Sequence, residues 1–132
     1  MASKKVMYYK LLYQIGYAFL IKNKEEIVNI WMTLSKAVDL YPEKMGVVDG
    51  DRSFTYRQTG ERVAGLARYF QKQRIRAEDR ISILEVNSHA FLETYYAAAG
   101  IGAILNPLNY RLDAKEVAFI LNDAGSRWLI AA

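Results

Sequence analysis

Apolar residues recur at helical spacing in two stretches near the start of the chain. In residues 25–40 they fall three and four positions apart, which predicts an amphipathic helix. This helix should end before Tyr41-Pro42, because a proline disfavours the α conformation of the residue before it. Residues 6–21, which run from Val6 to Ile21, are more uniformly apolar and predict a separate helix upstream.

A β-hairpin is predicted next. Residues 45–48 and 52–54 predict two short strands on either side of Asp49-Gly50-Asp51, and an Asp-Gly pair between such segments is typical of a hairpin turn. We interpret the two aspartates as turn formers rather than metal ligands, because no histidine or third carboxylate is close to them in the sequence.

The pattern then alternates between helix and strand. Thr55 and Gln58 form a capping-box pattern at a helix start. Further on, a β-favouring run at residues 81–84, a helix N-cap signal at Asn87-Ser88 and a second strand that begins at Ala103 and closes at Asn106-Pro107 predict a strand–helix–strand unit with parallel strands.

The last part of the chain continues this alternation. Asp113 and Glu116 form another capping-box pattern, for a helix that should end at Gly125, and residues 127–130 predict a final strand. The predicted fold class is α/β: N-terminal helices, a β-hairpin, and then βαβαβ with a mostly parallel sheet. Because the final apolar strand has no predicted neighbour after it, we expect this sheet to be an incomplete part of a larger one.

The order of short motifs from residue 34 onward resembles the N-terminal region of the AMP-forming acyl-CoA synthetases, which are adenylate-forming ligases. No single motif carries the resemblance; the ordered series does. The matching positions are Val48-Asp49-Gly50-Asp51, Thr55-Tyr56, Ala64 to Tyr69, Asp79-Arg80-Ile81, Leu84, Asn87-Ser88, Tyr96 with Ala98, Gly102-Ala103, Asn106-Pro107-Leu108-Asn109, Arg111-Leu112 and Glu116 to Leu121.

This resemblance implies that the complete enzyme activates a carboxylic acid, such as a fatty acid, with ATP and Mg²⁺, and then transfers the acyl group to CoA. In that family the triphosphate loop, the ribose-binding acid, the Mg²⁺ carboxylate and the catalytic lysine all lie beyond the matched region. We find no Ser/Thr/Gly-rich loop in this chain that could hold a triphosphate. For residues 34–132 we therefore expect a truncated, scaffold part of the large N-terminal domain, with no catalytic residue, no metal ligand and no cofactor of its own.

Two places depart from the family pattern. Family members usually have leucine where this chain has Thr59, and a Gly-x-x-x-Gly-Asp turn where it has residues 74–79. Without the two turn glycines, the backbone must reach positive φ with other residues or take another turn.

Three polar residues are our candidates for a binding role. Asn106, Asn109 and Arg111 follow a predicted parallel strand, and ligands of open α/β sheets tend to bind at the carboxyl ends of such strands. They would line a substrate or CoA path in the complete enzyme; a purely structural loop role is the alternative.

The remaining candidates for chemistry are interpreted structurally. His89 is the single histidine, in the first turn of a predicted helix, and we interpret it as a surface or capping residue rather than a catalyst. Tyr95 and Tyr96, with Phe91, have the spacing of core residues and are expected to pack against the sheet.

Composition narrows the function classes. The chain has 132 residues and 52% hydrophobic content, which suffices for the core of one domain. The absence of cysteine excludes disulfides, thiolate metal sites and thiol nucleophiles. The net charge is +4, but the basic residues of the helix after Thr55 are interleaved with acidic ones, as on a solvated helix face, and we predict no nucleic-acid partner.

Residues 1–33 are interpreted as a basic, apolar helical arm, in which all lysines up to Lys24 precede the first acidic residue, Glu25. The apolar run is shorter than the roughly 20 residues that a spanning helix needs, and no signal-peptide cleavage pattern follows it. Two interpretations stay open: an arm packed on a larger protein, or an interfacial helix on anionic lipid. We expect a cytoplasmic location, with peripheral membrane association in the second case.

A second hypothesis for the whole chain is a free-standing interaction or membrane-docking module without catalysis. In that case an exposed sheet edge would pair with a partner strand, for instance in a homo-oligomer, and the basic arm would dock on a membrane. A small nucleic-acid binder ranks last, because no recognition motif accompanies the charge.

Overall fold

The computed structural model describes residues 29–131 of the chain. The predicted α/β class is confirmed, and so is the order of helix, hairpin and βαβαβ. The predicted helix at residues 6–21, and the arm up to residue 28, lie outside the described residues. The elements are α1 (Ile30–Leu40), β1 (Met45–Asp49), β2 (Arg52–Thr55), α2 (Tyr56–Lys72), β3 (Arg80–Leu84), α3 (His89–Gly100), β4 (Ile104–Leu108), α4 (Ala114–Ala124) and β5 (Trp128–Ala131).

The strands form two separate sheets. β1 and β2 are an antiparallel hairpin, whereas β3, β4 and β5 form a parallel sheet in the order β4-β3-β5. The two crossovers therefore leave in opposite directions, and right-handed crossovers place α3 and α4 on opposite faces of the sheet. Accordingly, Ile81 of β3 packs in one core with Ala97 and Ala98 of α3, while Arg80 reaches the Ala124 carbonyl at the end of α4.

The main core lies between the sheet and a layer formed by α1, α2 and α3. Gly60 allows α1 to lie close to α2, because a Cβ at this position would be 2.9 Å from Cγ2 of Val38. Thr59, where the family has leucine, is fully buried, but its hydroxyl donates to the Thr55 carbonyl and is satisfied. The buried residues of this core are Leu34, Val38, Val63, Phe70, Ile75, Ile81, Ala97 and Ala98.

Helix termini follow the predicted caps. Both capping boxes, at Thr55 and at Asp113, are present with their reciprocal hydrogen bonds. Ser88 caps α3 by accepting from the Phe91 N–H, and Gly125 ends α4 in the left-handed conformation. The amphipathic helix of residues 25–40 is described from its N-cap, Asn29, onward.

The turn between α2 and β3 reaches positive φ without glycine. Arg74 has φ of 64° and Glu78 has φ of 70°. These are the two positions at which the family turn has glycine. The chain therefore keeps the turn with two residues in a conformation that non-glycine residues rarely adopt.

Two predictions about local structure were wrong. β4 does not close at Asn106-Pro107 but continues through Leu108. The Ile104 N–H donates to the carbonyl of Asp79, the residue just before β3, so the backbone groups of Ile104, Asn106 and Leu108 point toward β3. Those of Leu105 and Pro107 point away from β3, and a proline there loses no hydrogen bond to this strand. Tyr96 does pack against the core, but Tyr95 is exposed.

None of the helices within residues 29–131 is both long enough and apolar enough to span a membrane.

Candidate functional site

Two of the three predicted binding residues lie together at the carboxyl edge of the parallel sheet. Asn109 and Arg111 are exposed in the loop that follows β4, and the Oδ1 atom of Asn109 accepts a hydrogen bond from the Arg111 N–H at 3.0 Å. Arg111 Nε donates to the Tyr110 hydroxyl at 3.3 Å, and the guanidinium lies 5.5 Å from the ring centroid. The exposed Arg111 guanidinium is thus held by its contact with the Tyr110 ring.

The third predicted residue, Asn106, does not join them. It lies inside β4 rather than after it, and it is half-buried on the α4 face of the sheet. Its side-chain amide donates to Ser82 Oγ at 3.1 Å, and the Ser82 hydroxyl donates to Ser126 Oγ at 2.7 Å. Ser82 is fully buried, so this chain of hydrogen bonds satisfies a polar group in the interior. Asn106 therefore links β4 to β3, and Ser82 extends the chain of hydrogen bonds to Ser126, which lies between α4 and β5.

The exposed loop offers groups that suit an anionic ligand. Arg111 keeps guanidinium N–H groups beyond the one used by Tyr110, and the Asn109 amide nitrogen is a further donor. Arginine binds phosphate oxygens well because its donors are arranged as a planar fork. This donor set is chemically suited to a phosphate group. Residues 29–131 contain no group of three or more His, Asp or Glu side chains placed to hold a metal ion.

A second polar cluster, which the sequence did not indicate, joins the hairpin to α3. Asp49 Oδ2 accepts from the His89 backbone N–H at 3.0 Å and lies 2.5 Å from His89 Nδ1. Asp49 flanks the hairpin turn made by Gly50 and Asp51, and its carboxylate has a second role that the sequence did not indicate. The side chain of His89, which we interpreted as a surface or capping residue, is 11% exposed and takes part in this contact.

Hydrogen bonds from His89 lower the pKa of Asp49, with the charge of Arg52 adding to the effect. The carboxylate is thus ionised at neutral pH, and Nδ1 must carry the proton that lies between the two groups. An imidazole held in this way has a fixed tautomer and orientation. The arrangement anchors the first turn of α3.

Further contacts extend this cluster toward α2. The Phe54 ring lies against His89 with centroids 5.1 Å apart, and the Arg62 guanidinium lies 4.9 Å from the Phe54 centroid. Arg62 also donates to both carboxylate oxygens of Glu93, which is only 7% exposed, and this pairing raises the pKa of Arg62. Asp49, Phe54, Arg62, His89 and Glu93 together form what we call the hairpin cluster.

No signal in the sequence could have revealed the hairpin cluster. Asp49 and His89 are 40 residues apart, and Arg62 and Glu93 are 31 apart. Each partner also has an ordinary local explanation, as a turn former, a helix-start residue or part of a solvated helix face.

The chain is similar in sequence to known enzymes. The family model described as "AMP-binding enzyme" matches residues 34–132. A peroxisomal butyrate–CoA ligase of Arabidopsis thaliana is 38% identical over 91 residues, which is 69% of this chain and 16% of the relative. A peroxisomal benzoate–CoA ligase of the same plant is 36% identical over a stretch of the same size and coverage. The chain thus spans about one sixth of the length of these curated relatives.

A solved structure shows the same arrangement of elements. The inhibitor-bound N-terminal domain of FACL13 from Mycobacterium tuberculosis superimposes with a TM-score of 0.76 at 34% sequence identity, covering 78% of this chain and 26% of that domain. The described fold therefore corresponds to part of the N-terminal domain of an adenylate-forming enzyme.

Proposed function

The chain belongs to the AMP-binding enzyme family, and from this we propose that it is the opening part of the N-terminal domain of a carboxylate–CoA ligase. The reaction of the complete enzyme would join a carboxylic acid to CoA at the expense of ATP, with release of AMP and diphosphate. The observation that carries the proposal is the match of the family model across residues 34–132. The named relatives that support it are CoA ligases for different acids.

We infer that this part of the enzyme is scaffold and contributes no catalytic residue. Its polar clusters serve structure: Asn106 links β4 to β3, and the hairpin cluster ties β1, β2 and α2 to α3. ATP and Mg²⁺ would bind outside the described residues. The acid is a small or fatty carboxylic acid, and residues 29–131 do not select among these.

For CoA we propose a contact at the loop after β4. Arg111, supported by Tyr110, would bind a phosphate group, and the Asn109 amide would add a neutral donor. Both lie at the carboxyl edge of a parallel sheet, where open α/β folds bind ligands.

A chimera tests the scaffold role directly. Residues 34–132 would replace the corresponding segment of the Arabidopsis butyrate–CoA ligase, and acyl-CoA formation would be measured with a series of acids. We expect a folded, active chimera that keeps the acid preference of the recipient, since the graft supplies support. The 132-residue chain alone should not catalyse ATP–pyrophosphate exchange. A folded but inactive chimera, or exchange by the chain alone, would contradict the scaffold proposal.

The CoA contact has its own test in the same chimera. Arg111→Ala should raise the KM for CoA about tenfold, which corresponds to the loss of one charge-assisted hydrogen bond, while the KM for ATP should stay unchanged. Lys115→Ala is the matched control, because Lys115 is exposed on the next helix and should leave both constants unchanged. Equal effects of the two substitutions would exclude a specific role for Arg111.

The location of the protein is a separate proposal. We propose a cytoplasmic protein, although the two plant relatives are named as peroxisomal. Residues 6–21 would contact a membrane peripherally if they form an interfacial helix, and would not if they form an arm that packs on the rest of a larger protein. Fluorescence imaging of the tagged chain, beside a variant with Leu11 and Leu12 replaced by serine, would show whether any membrane association depends on this segment.

A further inference from the structure

One end of the molecule carries positive charge that has no ionic partner. The amino ends of the parallel strands and the carboxyl ends of α2, α3 and α4 meet there, and the Arg80 guanidinium at the start of β3 donates to the Ala124 carbonyl of α4. Four other basic side chains at this end are exposed and form no ion pair within residues 29–131. They are Lys72, Arg74, Arg76 and Arg127, which we call the basic end.

A structural role accounts for only part of this charge. Positive side chains near helix C-termini complement the helix dipole, which explains Lys72 in the last turn of α2 and the contact of Arg80 with α4. Arg74 and Arg76 lie in the turn beyond α2, and Arg127 lies between α4 and β5. The acidic residues at this end are fewer, and the carboxylate of one of them accepts from the Arg76 backbone N–H; they are Glu78, Asp79 and Asp123.

The N-terminal arm joins the described structure at this same end. The Asn29 side-chain amide donates to the Ala99 carbonyl in the last turn of α3 at 2.8 Å. Just beyond that turn, the Gly102 carbonyl accepts from the Glu78 N–H, which belongs to the turn that holds two members of the basic end. Residues 1–28 therefore connect to the structure beside the basic end. They carry charge of the same sign, on Lys4, Lys5, Lys10, Lys22 and Lys24.

An anionic lipid surface matches both features. The apolar residues 6–21 lie between two pairs of lysines, a pattern typical of a segment that buries apolar side chains among lipid headgroups and keeps its lysines near the phosphates. A nucleic acid or an acidic protein would use the positive charge but not the apolar run. Lysine and arginine are almost never buried without a charged partner, so we expect the basic end to stay open to solvent in a longer protein as well.

We propose that the protein binds anionic phospholipid membranes through two neighbouring contacts. Residues 6–21 enter the headgroup region, and the basic end lies on the lipid phosphates. The carboxyl edge of the sheet, with Arg111, then faces away from the membrane. This inference follows the interfacial interpretation of residues 6–21 and does not depend on the proposed ligase reaction.

Cosedimentation with vesicles tests the basic end by removing two of its charges. Arg74→Gly is combined with Arg76→Gln, and the first substitution relieves a positive φ of 64°, so lost binding would not come from backbone strain. A basic residue near an anionic surface strengthens binding about fivefold, so the pair should weaken binding to phosphatidylserine-containing vesicles about 30-fold. Added salt should weaken the binding of the unaltered chain, and vesicles of phosphatidylcholine alone should bind it much less.

The matched control removes the same charge at the opposite end of the molecule. Lys115 is exposed in the first turn of α4, and the Lys44 carbonyl accepts from the Tyr56 N–H at the start of α2. Lys44→Gln combined with Lys115→Gln should leave vesicle binding nearly unchanged. Equal weakening by the two pairs would mean that only net charge matters, and would overturn the proposal.

A fluorescent label gives a second measurement that does not depend on removing charge. The chain has no cysteine, so an environment-sensitive dye on a single introduced thiol reports one position. With phosphatidylserine-containing vesicles, the emission of a dye at Gln73→Cys, beside the basic end, should shift to the blue. A dye at Ser53→Cys, which is exposed on the hairpin, should not respond.

Three other results would overturn the proposal. The first is an unaltered chain that does not bind phosphatidylserine-containing vesicles, or that binds duplex DNA more tightly than these vesicles. The second is an equal response of the dyes at the two positions. The third is binding that is lost with Leu11→Ser and Leu12→Ser but not with the Arg74 and Arg76 pair, which would assign the contact to residues 6–21 alone.

Discussion

Asp49, the last residue of β1, accepts hydrogen bonds from both the backbone N–H and the ring Nδ1 of His89, the first residue of α3. A carboxylate from a separate hairpin thus serves one of the free N–H groups at a helix start, and the positive end of the helix dipole favours its charge. This side chain couples the hairpin to the helix, beside the contact of the Phe54 ring with His89.

Acid should weaken this coupling. The pKa of Asp49 is lowered in the folded protein, so its stabilising effect is complete above the unfolded pKa of about 3.9 and is lost as the pH falls through the lower folded value. Asp49→Asn should therefore reduce the urea midpoint at neutral pH and make less difference in acid. Asp51→Asn, an exposed turn position, is the control, and equal losses at both aspartates would contradict the role of His89.

Two glycines of α2 should respond in opposite directions to alanine. Gly60→Ala places a Cβ 2.9 Å from Cγ2 of Val38, a stiff β-branched residue in a helix, and should cost about 1 kcal/mol of unfolding free energy even after the gain in helix propensity. Gly65→Ala meets nothing within 4 Å and should gain about 0.5–1 kcal/mol. Chemical denaturation of both variants measures the contrast, and a gain at Gly60 would mean that α1 is not packed closely on α2.

Restoring glycine in the turn before β3 should stabilise the protein. Arg74 and Glu78 both have positive φ, which costs a non-glycine residue about 1–2 kcal/mol and glycine very little. Glycine also raises the conformational entropy of the unfolded chain, which offsets part of this gain. Each of the substitutions Arg74→Gly and Glu78→Gly should therefore raise the free energy of unfolding by about 0.5 kcal/mol. Arg76→Gly, in the same turn but without positive φ, should instead lower the melting temperature. A lower melting temperature for all three glycine variants would show that Arg74 and Glu78 are not strained.

The ion pair of the hairpin cluster should matter more than an exposed one. Glu93→Gln removes the charge from a side chain that is 9% exposed and paired with Arg62, and should cost about 1–2 kcal/mol. Glu43→Gln makes the same change at a side chain that is 75% exposed and paired with Arg57, and should cost less than about 0.5 kcal/mol. The denaturation midpoints of the two variants measure this difference in stability. Similar midpoints would mean that the burial of Glu93 does not strengthen its ion pair with Arg62.

What the sequence predicted well was local. The capping boxes at Thr55 and Asp113 join residues three positions apart, so the pattern contains both partners. The turn at residues 74–79 was predicted as a departure from family glycines, and the structure shows that Arg74 and Glu78 take over the positive φ. In each case the hydrogen bonds or backbone angles involve residues within a few positions of each other in the sequence.

What the sequence did not predict depends on tertiary neighbours. The extent of β4 follows from an edge position, at which Pro107 needs no donor, and strand order is not visible in a pattern of apolar residues. Similarly, Asn106 was grouped with Asn109 and Arg111 because all three were expected to follow the end of the strand. Asn106 instead lies inside β4, and its amide donates to Ser82 of β3. The CoA contact at Arg111 stays a prediction.

The central position of β3 also has a kinetic consequence. Ile81 pairs with Leu105 on one side and with Trp128 on the other, so the sheet cannot close until distant parts of the chain have met. The β1–β2 hairpin, by contrast, joins neighbouring residues through a tight turn and can form within microseconds. We therefore expect the hairpin to appear first and the parallel sheet to limit the folding rate, because pairing of remote segments pays the entropy of loop closure before it gains any contact.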